Sequence, residues 1–192
     1  MISARSQAIQ IAREMIRSNP VYLDTETTGH TTDSEIVEVC VLDDQGQVLF
    51  ESLVKPTRPI PRDAIRIHGI TDALVRGEPS WISVWPNLEK SLTDRLVGIY
   101  NAEFDLRLIR QTHAKYRIQS AYHAEFTPFC IMKLYAQYYG EWNRSRGSYR
   151  WISLEDAGRQ CRIPLPNSHR ARDDCLLARA LLHYMAFNQS TV

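Results

Sequence analysis

The sequence predicts an α/β fold, a mixed sheet with helices on both faces, from three observations. Three short apolar runs, 21–24, 36–42 and 48–54, follow one another with a turn-like Asp43-Asp44-Gln45-Gly46 between the last two, which reads as an antiparallel meander. From residue 96 onward short strands alternate with helical spacing. No repeat, low-complexity segment or long linker divides the 192 residues, so one domain spanning 1–192 is expected.

Ser3 is placed to cap a helix carrying Ala8, Ile9, Ala12, Met15 and Ile16 at helical spacing, and Asn19-Pro20 ends it. Val21 to Asp24 is a first strand running into Thr27-Thr28-Gly29. Ile36 to Leu42 and Val48 to Val54 complete the meander, and Pro56, Pro59 and Pro61 break the chain after it. A short helix then leads to His68-Gly69-Ile70-Thr71, and a longer one follows the cap residue Ser80. Leu96 to Tyr100 is a fourth strand, Ala102 to Lys115 a helix, and Phe126 to Cys130 a short fifth strand before a helix through Lys133 to Tyr138. Ser153 with Asp156 resembles a capping box for a helix to about Cys161, and Ala171 to Ala186 is the last amphipathic helix.

Hydrophobic residues make up 44% and charged residues 23%, the balance of a globular chain, which excludes disordered and collagen-like classes. No apolar run approaches the roughly 18 residues of a membrane span, and Arg5, Glu14 and Arg17 interrupt the N-terminal stretch, unlike a secretory leader; a cytoplasmic protein without membrane contact is expected. Cys40, Cys130, Cys161 and Cys175 lie far apart with no C-x-x-C pair, so reduced, partly buried thiols are expected rather than a zinc site or disulfide framework. The net charge of +1 conceals two uneven stretches. Between Leu23 and Glu51 stand eight acids and no Lys or Arg, a candidate cation site; between Glu141 and Arg172 stand seven arginines, a candidate polyanion site. Either stretch could equally be a solvated face.

In Asp24-Thr25-Glu26 the acids are at i and i+2, a spacing that puts both side chains on one side of an extended strand. Two such carboxylates repel unless a proton or cation sits between them, and Mg²⁺ takes hard oxygen ligands of this kind. Alone, the pair reads as an acidic turn after an edge strand. Its company changes the odds. Asn101-Ala102-Glu103-Phe104-Asp105 follows the fourth strand directly, and His169-Arg170-Ala171-Arg172-Asp173-Asp174 opens the final helix with an imidazole and a carboxylate about one turn apart.

These three segments resemble, in order and spacing, the motifs of the DEDDh 3′→5′ exonuclease family, which includes the proofreading subunit of bacterial replicative polymerase and several stand-alone exonucleases. Glu35-Ile36-Val37-Glu38-Val39 and Ile67-His68-Gly69-Ile70-Thr71 extend the likeness over about residues 20–187, behind an N-terminal helix at 1–19. The resemblance implies a ribonuclease-H-like fold with a five-stranded mixed sheet, its second strand antiparallel. It implies metal-binding acids at Asp24, Glu26, Asp105 and Asp174, a general base at His169, and two Mg²⁺ ions, replaceable by Mn²⁺. The sister type has tyrosine one residue later, where this chain has Arg170, so the histidine type is indicated. Thr25, Thr27, Asn101 and Phe104 are expected to hold the 3′-terminal nucleotide of a single-stranded end, with nucleoside 5′-monophosphate as product.

Asp173, adjacent to Asp174, would lie about 100° away around the helix and is expected to be exposed or to support the site from behind. His68 is expected to be structural, and His113, His123 and His183 to be core or surface residues. Tyr100 replaces a histidine common in relatives, and Pro128-Phe129-Cys130-Ile131 replaces an Asp-Thr pair, which brings the chain nearer to stand-alone exonucleases. Only residues 188–192 follow the last helix, so no polymerase-binding tail is evident; a polymerase or repair complex stays open as partner, as does RNA as substrate. All five catalytic positions are filled, which argues against a scaffold subunit that lost turnover. Finally, Tyr138 to Trp151 interleaves five aromatics with Arg144, Arg146 and Arg150 and carries two glycines, a composition suited to gripping a strand from a mobile loop. Trp142 and Trp151 could equally be core anchors.

Overall fold

The computed structural model describes residues 3–118 and 126–188, so His123 lies outside the described residues. The chain runs α1 (Ala4–Arg17), β1 (Val21–Thr27), β2 (Ile36–Leu42), β3 (Val48–Leu53), α2 (Arg62–His68), α3 (Asp72–Val75), α4 (Trp81–Leu92), β4 (Leu96–Ile99), α5 (Ala102–Lys115), β5 (Thr127–Cys130), α6 (Ile131–Tyr139), β6 (Trp142–Asn143), β7 (Ser148–Tyr149), α7 (Leu154–Gln160) and α8 (Ala171–Phe187). Five strands form one sheet in the order β3-β2-β1-β4-β5. β2 is antiparallel to both β1 and β3, while β4 is parallel to β1 and β5. This is the expected mixed, ribonuclease-H-like sheet.

The alternation of β1 divides the core. Tyr22 packs with Ala8, Tyr135, Leu181 and Met185 of α1, α6 and α8 on one face, whereas Val21 and Leu23 pack with Trp81, Leu88 and Leu108 of α4 and α5 on the other. Burying both faces explains why β1 and β2 are apolar at nearly every position outside the acids. A smaller cluster of Val37, Ile60, Ala64, Ile70 and Val75 seats α2 and α3.

Local signals operate at several helix ends. Ser3 Oγ accepts the Ser6 amide at 3.1 Å, and Ser153 Oγ accepts the Asp156 amide at 3.1 Å while donating to Asp156 Oδ2 at 2.8 Å. Ser80 stands at the N-cap of α4 but caps with its backbone carbonyl alone. The mobile loop expected between Tyr138 and Trp151 is instead a short antiparallel hairpin, β6 paired with β7. Gly140, at φ 86°, ends α6 in the left-handed region and turns the chain into it. All four cysteines are free, with Cys40, Cys161 and Cys175 buried. Among the described residues no helix is long and apolar enough to cross a membrane.

Candidate active site

The site is built at the end of β1. Because Asp24 and Glu26 share a face with Tyr22, they point toward the α8 side of the sheet, and Asp174 in the first turn of α8 meets them there. Ligand oxygens of Asp24, Glu26 and Asp174 all lie within 4.8 Å of one another. Asp105 arrives from the opposite layer, in the first turn of α5, and its Oδ1 accepts the Thr25 hydroxyl at 2.7 Å. Thr25 points to the α5 side with Val21 and Leu23, so Asp105 is held at the edge of the acid group, outside the three-acid set. All four acids nevertheless line one hollow of about 290 Å³, together with Thr25, Asn101, Phe104 and His169.

Asn101 precedes α5 with φ 65° and ψ 51°, a left-handed conformation that asparagine tolerates better than most residues, and this sharp entry sets the first turn of α5 against the sheet end. Phe104 forms a half-buried wall, with the Arg107 guanidinium 5.2 Å over its ring and His30 5.4 Å away.

The third wall hangs on a residue whose role composition does not disclose. Glu38 on β2 lies directly opposite Glu26 in the β1–β2 register and is 3% exposed. Its Oε1 and Oε2 accept Arg170 Nε at 3.0 and 3.1 Å, and Oε2 also accepts the Ala171 amide at 2.9 Å. One carboxylate thereby caps α8 and grips the residue between His169 and the helix. His169 itself is exposed, at φ 53°, and lines the same hollow as the acids. Glu38→Gln is expected to lower stability by about 2 kcal/mol, the scale of a hydrogen bond to a charged group. Denaturant titration checks this, and a double-mutant cycle with Arg170→Ala separates the pair from the bare cap.

Crowding the acids together shifts their protonation. Burial, then the Asp105, Glu26 and Asp174 charges, pushes Asp24 well above the usual carboxylate range. Burial, followed by Asp174 and Glu38, raises Glu26 to about 9. Burial raises Asp105 to about 7 against the opposing Thr25 hydrogen bond, and burial with the Asp173 charge raises Asp174 to about 7. A divalent cation relieves all of these at once. The donor set fits one: three carboxylates supply hard oxygen ligands, and Asp174 Oδ1 is buried with no hydrogen-bond donor among the described residues.

Against known proteins, the exonuclease family designated RNase_T matches residues 21–182. The chain belongs to the DEDD-type exonuclease family. The uncharacterized exonuclease CP81 of Escherichia phage 186 is 37% identical over 181 residues, covering 92% of this chain and 93% of its own. The DNA polymerase III subunit epsilon of Rickettsia felis is 32% identical over 95 residues, 46% of this chain and 42% of its own. Exonuclease X, solved in complex with 5′ overhanging duplex DNA, aligns with a TM-score of 0.65 at 26% identity, covering 90% of this chain and 93% of its own. The family depends on divalent metal, in keeping with the acid cluster.

Other expected residues take places around this exonuclease site. Thr27 lines a neighbouring hollow with Glu26, His30, Ile67 and His68, and its hydroxyl is engaged in the turn, donating to the Gly29 carbonyl at 2.8 Å. His68 is buried; its Nδ1 accepts the Ile70 amide at 3.0 Å and its Nε2 lies 3.2 Å from the Thr27 carbonyl, so it braces the end of β1. His113 is buried against Trp81 and Trp85, and His183 contacts Asp44 at 2.8 Å. Asp173 is half-buried and accepts the Ser168 hydroxyl at 2.5 Å. The acidic stretch divides: Asp24 and Glu26 enter the site, while Glu35 pairs with Lys115, Asp33 with Arg58 and Asp44 with Tyr22. The arginine stretch divides too. Arg159 and Arg172 pair with nearby acids, and Arg144, Arg146 and Arg150 stand on the β6–β7 hairpin outside the acid hollow. Trp142 and Trp151 are 53% and 50% exposed and anchor no core.

The chain's additional wall, Tyr100, Ser153, Leu154, Glu155 and Asn167, had no motif to announce it. The one available signal was the capping box at Ser153, which fixes where α7 begins but not what it faces.

Proposed function

We propose that this exonuclease is of the DEDDh type, a cytoplasmic enzyme that hydrolyses phosphodiester bonds at 3′ ends of single-stranded or frayed DNA and releases nucleoside 5′-monophosphates. Residues 1–192 form one domain in this reading, with the catalytic core at 20–187. The observation that carries it is the convergence of Asp24, Glu26 and Asp174 within 4.8 Å, in a hollow that His169 also lines.

Asp24, Glu26 and Asp174, with Asp105 alongside, would hold two Mg²⁺ ions. Bound there, the ions supply positive charge to both the attacking and leaving oxygens of an in-line displacement. His169 accepts the proton of the attacking water, the general-base role an imidazole can fill. Its exposed position lets that proton pass on to solvent. Asp105 and Thr25 form a hydrogen-bonded pair that fixes the α5 side of the hollow, while Asn101 and Phe104 bound the space for the terminal nucleotide.

The test is a time course on 5′-labelled single-stranded DNA and RNA with Mg²⁺, Mn²⁺ or EDTA. Ladders shortening from the 3′ end, present with metal and absent with EDTA, are expected, and the relative rates on the two strands show which is the better substrate. Shortening from the 5′ end, or cuts in a circular single strand, would overturn the assignment.

A further inference from the structure

The acid hollow poses an electrostatic problem for its own substrate. Asp24, Glu26, Asp105, Glu155 and Asp174 surround it, and a nucleic-acid strand brings further negative charge. Cations held by those acids would act at the scissile phosphate, so attraction for the rest of the strand has to come from elsewhere on the surface. The β6–β7 hairpin is a built positive site beside that hollow. Asn143 Oδ1 accepts the Ser145 amide at 3.1 Å, the Ser145 hydroxyl at 2.7 Å and the Arg146 amide at 3.2 Å, which closes the turn, and Gly147 at φ 61° supplies its left-handed residue. Across the strands Trp142 and Tyr149 pack edge to face at 5.0 Å. The turn therefore presents Arg144 and Arg146 from a defined scaffold. Among the described residues neither has a carboxylate within ion-pair distance, while Arg150 shares Glu141 at 3.1 Å.

Beside the turn lies a second hollow of about 430 Å³, lined by Asn143, Arg146, Ser148, Tyr149, Arg150 and Trp151. Guanidinium groups and aromatic rings in one concavity are the components of a single-strand site: rings stack bases and arginines neutralise phosphates. The two hollows are joined along the chain. Trp151 belongs to one and Ser153 to the other, at most about 7 Å apart in extended backbone. Between them the Ile152 carbonyl accepts the Tyr100 hydroxyl at 2.7 Å, which fastens the connection to the wall of the acid hollow.

We propose that the β6–β7 hairpin is a second nucleic-acid site, holding the substrate strand a few nucleotides to the 5′ side of the scissile bond. It rests on the 3′→5′ reading of the acid hollow for its polarity, and it makes substrate length a determinant of affinity. A dinucleotide ends before the hairpin; a 12-mer reaches it.

The experiment compares wild type with Arg144→Gln/Arg146→Gln/Trp151→Ala. With Mg²⁺, KM for a single-stranded 12-mer is expected to rise at least tenfold in the variant. For a dinucleotide, kcat/KM is expected to move less than threefold, which also shows that the variant is folded. In EDTA, fluorescence anisotropy with a 5′-fluorescein 12-mer is expected to show a matching loss of affinity. The log–log salt slope should flatten by about 1.4, two phosphate contacts at roughly 0.7 each for single strands. Unchanged 12-mer binding and salt slope would overturn the proposal, and an equal loss on the dinucleotide would overturn it in favour of a structural role. If wild type binds the 12-mer through the hairpin but cleaves neither substrate, the exonuclease reading fails and the hairpin site stands.

Discussion

Asp24→Asn, Glu26→Gln, Asp105→Asn and Asp174→Asn are each expected to lower metal-dependent cleavage by on the order of 10³-fold and to leave the protein folded. Charge-stabilising groups in a partly buried site are worth this much to a reaction that concentrates charge. The same substitutions carry a second, less usual expectation. In the metal-free protein every one of these acids holds its proton more tightly than it does in the unfolded chain. The folded state therefore binds more protons than the unfolded state from about pH 4, where free carboxylates titrate, up to about 9, where Glu26 releases its own. Stability in EDTA falls as pH rises through that window. Each amide variant should flatten the fall, and its melting temperature at pH 8 without metal should match or exceed that of wild type. Divalent metal should raise the wild-type melting temperature more at pH 8 than at pH 6, since protons no longer compete for the ligands. Asp173→Ala, which removes a carboxylate turned to Ser168, is expected to retain substantial turnover. Full activity in any two of the four amide variants would defeat the site assignment, and so would a melting temperature in EDTA that climbs between pH 5 and 9.

His169→Asn is expected to lower kcat by about 10²-fold or more while leaving metal binding largely intact. The size is that of general-base catalysis, and the direction follows from His169 lining the hollow without belonging to the three-acid group. Asparagine is the informative replacement because residue 169 sits at φ 53°, a conformation it tolerates well and alanine less well. The loss then reports the missing proton acceptor rather than a displaced turn. A kcat within threefold of wild type, or a metal affinity that collapses with it, would remove His169 from this role.

Much of the catalytic side was written in short-range pattern. The i, i+2 spacing of Asp24 and Glu26 required only that β1 be extended, and the extended strand runs past both acids to Thr27. The distance from His169 to Asp174 required only that a helix begin between them, and α8 begins at Ala171. The hairpin was harder. Its glycines and polar residues read as a loop, whereas pairing of Trp142 with Tyr149 and the Asn143 side chain organise it. The core-or-surface choice for Trp142 and Trp151 had no local signal, because a tryptophan packs well in either setting and its neighbours decide. Trp81 and Trp85, at helical spacing on α4, are the ones the core takes.

What the sequence by itself determined is therefore the set of elements, the chemistry of the acids and imidazole, and their order along the chain. These follow from backbone periodicity and from functional groups that keep their character wherever they are placed. Only the tertiary structure decided which acid meets which partner. Glu26 and Glu38 are both acids on apolar strands, yet one belongs to the three-acid group and the other is spent on Arg170, 132 residues away. Asp105 reaches the site from the opposite layer and is anchored by Thr25, 80 residues away. Such pairings depend on how two faces of a sheet are covered, a long-range packing outcome that no local window contains, because the charge of a carboxylate is fixed by its chemistry and its partner only by the fold.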